Sequence, residues 1–202
     1  MKELSLHMLD ITQNSIRAKA KLVKLVIIES AENNEITTII EDDGCGIPAD
    51  RLQKITDPFV TTRTTRKVGL GLSLFKAAAE ACGGYFEISS TVGVGTKVVA
   101  NFRRDHIDCA PVGNMADTIL TMVMSFGETD LYYQHDYNNQ QFVFNTREIK
   151  ETLEVESLNE PEILNWIREH VKEGLEEIME EKIYGKVLSR TKSDSRKEIE
   201  RT

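Results

Sequence analysis

Cysteine is scarce. The 202 residues hold three, Cys45, Cys82 and Cys109, an odd number at wide spacing. That pattern excludes a disulfide framework and shows no zinc-ligand spacing. A reducing cytoplasm is the simplest setting for such a chain. No apolar run approaches the ~18 residues of a membrane span, and Met1-Lys2-Glu3-Leu4 begins no signal-peptide pattern. Internal repeats and low-complexity tracts are missing as well. So is a general basic face, which a nucleic-acid surface needs. Residues 1–104 carry 14 Lys/Arg against 12 Asp/Glu, whereas residues 105–202 carry 11 against 21. The final stretch, 182–202, is itself basic, with 7 against 3, so the acid lies in 105–181. No nucleic-acid partner and no membrane span are expected. What is present, 40% hydrophobic and 29% charged residues, suffices for a folded core.

Hydrophobic periodicity orders the elements. Residues 4–18 read as a helix, with Met8, Leu9, Thr12 and Ile16 forming a largely apolar stripe and Ser5 one turn earlier. The β-branched run from Lys21 to Glu29 suits a strand. Ala31-Glu32-Asn33-Asn34 is a turn, and the next strand runs to about Glu41, which predicts a hairpin. Pro48 to Ile55 reads as a short helix, residues 57–68 as a loop, and Leu70 to Cys82 as a helix stopped by Gly83-Gly84. Tyr85–Thr91 and Lys97–Arg104 are two more strands. The order α-β-β-α-α-β-β predicts an α+β fold, a two-layer α/β sandwich over residues 1–104. After 104 the pattern restarts. Met115–Phe126 is a helix, core or dimer seam. Leu131–His135 and Gln141–Asn145 are strands around Asp136–Gln140, and Glu160–Tyr184 is an acidic amphipathic helix. Residues 105–184 are thus an α-β-β-α extension that can dock a partner or a second copy, and 185–202 a polar tail.

Four segments carry chemistry. Asp42-Asp43-Gly44-Cys45-Gly46-Ile47 follows a strand, so two carboxylates end a buried strand before glycines that let a ligand or another backbone come close. A plain Asp-Gly turn would look the same. In the first helix Asp10, Gln13, Asn14 and Arg17 share one face. Asn can give oxygen to Mg²⁺ and Arg can grip phosphate, although an ordinary polar helix face fits too. Val68-Gly69-Leu70-Gly71-Leu72 opens a helix after a loop holding Thr61, Thr62, Arg63, Thr64, Thr65, Arg66 and Lys67. Backbone N–H groups at a helix N-terminus attract phosphate, yet neither G-x-x-x-x-G-K-[ST] nor G-x-G-x-x-G occurs. Gly95-Thr96 opens the last strand of the first unit, and its hydroxyl can reach a ligand on the sheet.

Taken in order, these segments resemble the GHKL superfamily, named for gyrase, the heat-shock chaperone, histidine kinases and MutL. Asp10–Ala18 is similar to its N box, Asp42–Ile47 to its first glycine box and Val68–Leu72 to its second. Asp57-Pro58-Phe59 with Thr61-Thr62-Arg63 is similar to the F box of sensor kinases. The resemblance spans about residues 5–104 and implies a Bergerat ATP-binding fold with ATP and Mg²⁺ as cofactors. It further implies that Asp42 accepts the adenine amine, Gly44 and Gly46 make room for the base, and Thr96 approaches the adenine pocket. Asn14 would hold Mg²⁺ and Arg17 would meet the phosphates. Residues 61–71 would form a lid, bringing Thr62, Arg63, Gly69, Leu70, Gly71 and Leu72 to the nucleotide.

The chain departs from that pattern in three places. Asp10 stands where many ATPase members carry a glutamate base, and it is one methylene shorter. Lys67 replaces a glycine usual in sensor kinases. None of His7, His106, His135 and His170 sits in a phosphoacceptor helix box, which should precede the ATP unit. The reading that follows is a histidine-kinase-like protein passing the γ-phosphate to a partner in trans, with Asp10 as the catalytic residue. The alternative is an ATP-gated binding module with little chemistry.

Overall fold

A computed structural model describes residues 3–52, 54, 55 and 70–179. The element order is α1 (Leu4–Arg17), β1 (Leu22–Ser30), β2 (Glu35–Asp42), α2 (Ala49–Leu52), α3 (Leu70–Ala81), β3 (Phe86–Thr91), β4 (Gly95–Arg103), α4 (Met115–Phe126), β5 (Asp130–Tyr137), β6 (Gln140–Asn145) and α5 (Thr146–Leu153). Residues 161–179 form a further helix, α6. The loop 57–68, the Asp57-Pro58-Phe59 segment, Thr62, Arg63, Gly69 and the tail 185–202 lie outside the described residues.

The strands form one six-stranded sheet in the order β3-β4-β2-β1-β5-β6. Every neighbouring pair is antiparallel except β1 and β5, which run parallel in the register Val23 to Leu131 through Glu29 to Tyr137. Val23, Leu25 and Ile27 alternate with more exposed residues along β1, so one face of the sheet is buried. Helices cover that face, giving two layers. Each fully buried Leu, Ile or Phe there contributes about 1.5–3 kcal/mol relative to exposure.

The buried arc of α1 is wider than the predicted stripe. Ser5, Met8 and Thr12 of that stripe are buried, Leu4, Ile11 and Ser15 join them, and Leu9 and Ile16 are only half-buried. The reason is that α1 has neighbours on two sides, α3 and α4, which widens its buried arc beyond a single line. The Met115–Phe126 helix is core: Met115, Ala116, Ile119, Met122, Val123 and Phe126 are all buried. The expected five-residue connection around Asp136–Gln140 closes to two residues, because Tyr137 pairs with Gln140 and Asn138 takes a left-handed φ of 52°. Helix α5 follows β6 directly, with Asn145 as its N-cap accepting from the Arg147 N–H.

The sheet does not end at residue 104. The first N–H groups of α1 have no intrahelical acceptors, and Leu4 and Ser5 donate instead to the carbonyls of Pro111 and Val112, at 3.0 and 2.8 Å. A buried polar chain ties β5 to β1. The Tyr133 hydroxyl lies 2.8 Å from His135 Nδ1, and His135 Nε2 lies 3.0 Å from Glu29 Oε1. Burial, helped by the Glu29 charge, pushes the Tyr133 phenol well above its ordinary range, so it keeps its proton, and in the tautomer whose Nε2 hydrogen faces the Glu29 carboxylate it donates to Nδ1. The Nε2 hydrogen then goes to Glu29, which Arg104 approaches at 3.9 Å.

Because sheet and helix layer are continuous across this region, Phe144→Ala should lower stability by about 3–5 kcal/mol in a single urea transition. Coincident near- and far-ultraviolet melts check this. Two separable transitions, with only one shifted, would show that residues 105–179 fold on their own.

Candidate functional site

The site lies where the end of β2 meets the start of β4 under the last turns of α1. In β2 the buried residues Ile36, Thr38 and Ile40 alternate, and Asp42 continues that alternation onto the helix side. Its Oδ1 accepts the Gly44 N–H at 3.0 Å and its Oδ2 accepts the Ser15 hydroxyl at 2.7 Å. Asp43 points the other way and is consumed structurally: its Oδ1 accepts the Lys21 and Leu22 N–H groups at 2.7 and 2.9 Å, anchoring the start of β1. Of the two adjacent carboxylates, only Asp42 thus faces the helices, and each of its oxygens retains a lone pair.

Close backbone contacts frame it. Gly46 has φ +70° and Gly95 φ +141°, both in the region that favours glycine. A side chain on Gly46 would run into the Thr91 carbonyl, and one on Gly95 into the Asp42 carbonyl. A Cβ on Gly44 would sit 2.7 Å from that of Ala18. Thr96 pairs with Asp42 across β2 and β4. Its Oγ1 lies 2.9 Å from Ser90 Oγ, which also accepts the Ile47 N–H at 2.8 Å and donates to the Gly95 carbonyl at 2.8 Å. A depression of about 470 Å³ surrounds these strand ends. Much of it opens on the far sheet face, between Lys24, Glu41 and Lys97, so the chemistry-bearing part is its wall of Asp42, Ser90 and Thr96.

On α1, Arg17 donates to Asn14 Oδ1 at 3.2 Å, so these two stand together. Gln13, which shares their side by spacing, is drawn away: its Nε2 donates to Ser125 Oγ of α4 at 2.9 Å. Asp10 is exposed and has no hydrogen-bond partner among the described residues. Gly71 in the first turn of α3 comes so close that a Cβ there would lie 3.3 Å from that of Asp10. One turn along, the His7 ring stacks on Phe75 with centroids 5.4 Å apart. Leu72 is buried in the core, so it can offer a ligand only its backbone N–H. Leu70 begins the same helix. Among the described residues no three His, Cys, Asp or Glu gather into a metal cage. The single Asn14 oxygen already accepts from Arg17, so it is no standing protein-only site, and a cation there would use its second lone pair and bring phosphate oxygens of its own, as Mg²⁺ does.

Ser15 and Ser90 were not among the residues the sequence singled out. Ser15 stands between Asn14 and Ile16 with no spacing signal of its own, and only the fold reveals its contact with a residue 27 positions away.

A family model described as "Histidine kinase-, DNA gyrase B-, and HSP90-like ATPase" matches residues 2–106. The chain belongs to this family. Residues 2–106 are therefore an ATP-binding domain of the histidine-kinase type, and the Bergerat fold comes with the membership. An uncharacterized sensor-like histidine kinase of Rhizobium meliloti (strain 1021) is 41% identical over 87 residues, 40% of this chain and 17% of that protein. Sensor kinase CckA of Brucella abortus (strain 2308) is 41% identical over 78 residues, 38% of this chain and 8% of that protein. The chain therefore spans only a small part of these relatives. The catalytic domain of histidine kinase ThkA aligns with a TM-score of 0.39 at 23% identity, covering 49% of this chain and 64% of that one. Among the described residues no helix is long and apolar enough to cross a membrane.

His7 yields a pH prediction in this kinase-like domain. Burial, with the nearby N-terminal charge, holds its pKa below the ordinary 6.5, and Asp10 opposes this only in part. Below pH 6.5 the unfolded chain therefore binds the proton first, and stability falls as pH drops toward the folded-state value. His7→Phe, which keeps the stack on Phe75, should flatten that part of the profile. Urea midpoints between pH 7.5 and 5 measure it, and an unchanged slope in the variant would reject the assignment.

Proposed function

We propose that this domain binds Mg-ATP and passes the γ-phosphate to a partner protein in trans. The observation that carries the reading is the Asp42 carboxylate, fixed by Gly44 and Ser15 with its free lone pairs turned to the helix side. An adenine amine is the complementary donor, and a hydrogen bond to such a charged acceptor contributes about 1.5–3 kcal/mol. Thr96 stands beside it on β4. Asn14 would hold Mg²⁺, which would neutralise charge on the phosphates, and Arg17, already beside Asn14, would meet the same phosphates through its planar fork. Thr62, Arg63, Gly69 and the first-turn N–H groups of Leu70, Gly71 and Leu72 are the lid side of this assignment. Asp10 would orient the acceptor.

The environments of the four histidines support an acceptor outside residues 1–202. His7 and His135 are buried, His170 is stacked against Trp166 at 4.8 Å, and His106 Nδ1 accepts the Asp108 N–H. The exposed side of α6, which carries Glu162, Trp166, Glu169, Glu173 and Glu176, is the surface we assign to that partner or to a second copy. A cytoplasmic setting fits the three free thiols.

One observation favours the ATP-gated module instead: no described neighbour orients Asp10, as a general base requires. Calorimetry with Mg-ATP and labelling with γ-³²P-ATP in a cell lysate separate the readings. Asp42→Ala should weaken ATP binding at least about tenfold. Transfer predicts label on a second protein, lost in Asp10→Ala and Asn14→Ala. Tight ATP binding with no label leaves the switch, and ATP binding insensitive to Asp42→Ala rejects the site.

A further inference from the structure

We propose that Ser15 and Ser90 set the base specificity of this site, Ser15 by holding the Asp42 carboxylate in place and Ser90 by fixing the direction of the Thr96 hydrogen bond. The wall then offers a ligand only lone pairs and selects a purine bearing a 6-amine over one bearing a 6-oxo group. The inference rests on Asp42 as the base anchor and adds two residues that need not touch the base.

The direction of each bond follows from counting hydrogens. Ser15 is buried, and its one hydroxyl hydrogen goes to Asp42 Oδ2 at 2.7 Å. Gly44 N–H occupies one lone pair of Oδ1. An ionised carboxylate has no hydrogen to give, so both remaining positions are acceptors. Ser90 Oγ has three neighbours. The Ile47 N–H can only donate to it, and the Gly95 carbonyl, 2.8 Å away, can only accept from it. The single Ser90 hydrogen therefore belongs to Gly95. Thr96 Oγ1, 2.9 Å from Ser90 Oγ, must supply the hydrogen of that contact. With its hydrogen spent on Ser90, Thr96 presents only lone pairs to anything on its other side.

Asp42 and Thr96 are cross-strand partners, so the two acceptors lie side by side. A 6-amine carries two N–H groups and matches them. In the pose the amine takes, a 6-oxo group sets its lone pairs against those of Asp42, and the single N1–H that accompanies it can pair with only one of the two acceptors, leaving the other unpaired, the situation in which binding sites discriminate most strongly. The device is indirect: Ser90 spends its hydrogen so that the polarity of Thr96 is fixed, and Ser15 spends its own to hold Asp42 in position.

Calorimetric titration of the full chain with Mg-ATP and with Mg-inosine triphosphate, which carries a 6-oxo group and an N1–H in place of the 6-amine and the N1 lone pair, tests this. The wild type should prefer ATP. Ser90→Ala frees the Thr96 hydrogen to turn toward the ligand, so inosine triphosphate should gain and ATP lose, lowering the preference about tenfold. Ser15→Ala should weaken ATP by about three- to tenfold and leave inosine triphosphate unchanged. Thr96→Val, nearly isosteric and suited to a strand, should weaken ATP with no gain for inosine triphosphate, and it decides the matter if a serine variant does not fold. An unchanged preference in Ser15→Ala and Ser90→Ala, or in Thr96→Val where those do not fold, overturns the proposal. If Asp42→Ala still abolishes ATP binding in that case, the site assignment survives without it. ATP binding that ignores Asp42→Ala removes both.

Discussion

Everything at the site depends on three places where one stretch of backbone comes within side-chain distance of another. Gly46 lies against the Thr91 carbonyl, Gly95 against the Asp42 carbonyl, and Gly44 against Ala18 at the end of α1. No other residue fits these positions without moving main chain, because the obstacles are carbonyl groups and a helix terminus and not flexible side-chain tips. The contacts draw the ends of β2, β3 and β4 and the C-terminus of α1 into one small region. Only then can Ser15 reach Asp42, and only then do Asp42 and Thr96 stand as neighbours beneath a helix carrying Asn14 and Arg17.

From this junction the helix layer inherits its arrangement. Helix α1 is held at its C-terminal end by the Ser15–Asp42 bond and at its N-terminal end by the carbonyls of Pro111 and Val112. Its two flanks meet different partners, α3 through Phe75 and Gly71, and α4 through Ser125. A helix tied at both ends and on both flanks has little freedom to slide, which suits a rigid platform for the polar side chains on its outer side. Asp10 is the exception, exposed beside the first turn of α3, the helix that directly follows the segment assigned as a lid.

Much of this was legible because the constraint is local. Asp42, Gly44 and Gly46 lie within five residues, and a strand ending in carboxylate and glycine has few structural uses. Gly83-Gly84 marked the end of α3 for the same reason. What the sequence could not disclose came from distant neighbours. The buried arc of α1 widened to take in Ile11 because two helices flank it. Gln13, aligned by spacing with Asn14 and Arg17, was diverted to α4 by a serine 112 residues away. Asp43 carries the same carboxylate as Asp42, and only the direction of alternation separates an anchor for β1 from a group facing the helices. The restart after residue 104 was visible as a change of pattern, but its strands gave no sign of which edge they would join.

That edge has a consequence for how the chain is made. Val23 of β1 finds its parallel neighbour in Leu131, more than a hundred residues later. At a synthesis rate of about 5–20 residues per second, the ribosome needs roughly 5–20 s to deliver that partner. Throughout that interval one edge of the strand holding Val23, Leu25 and Ile27 is unpaired, an invitation to intermolecular pairing. Parallel contacts of such long range also close slowly once available. The nascent protein is therefore most exposed to aggregation after the strands of its ATP-binding domain have emerged and before β5 arrives, and conditions that slow translation between these points lengthen the interval.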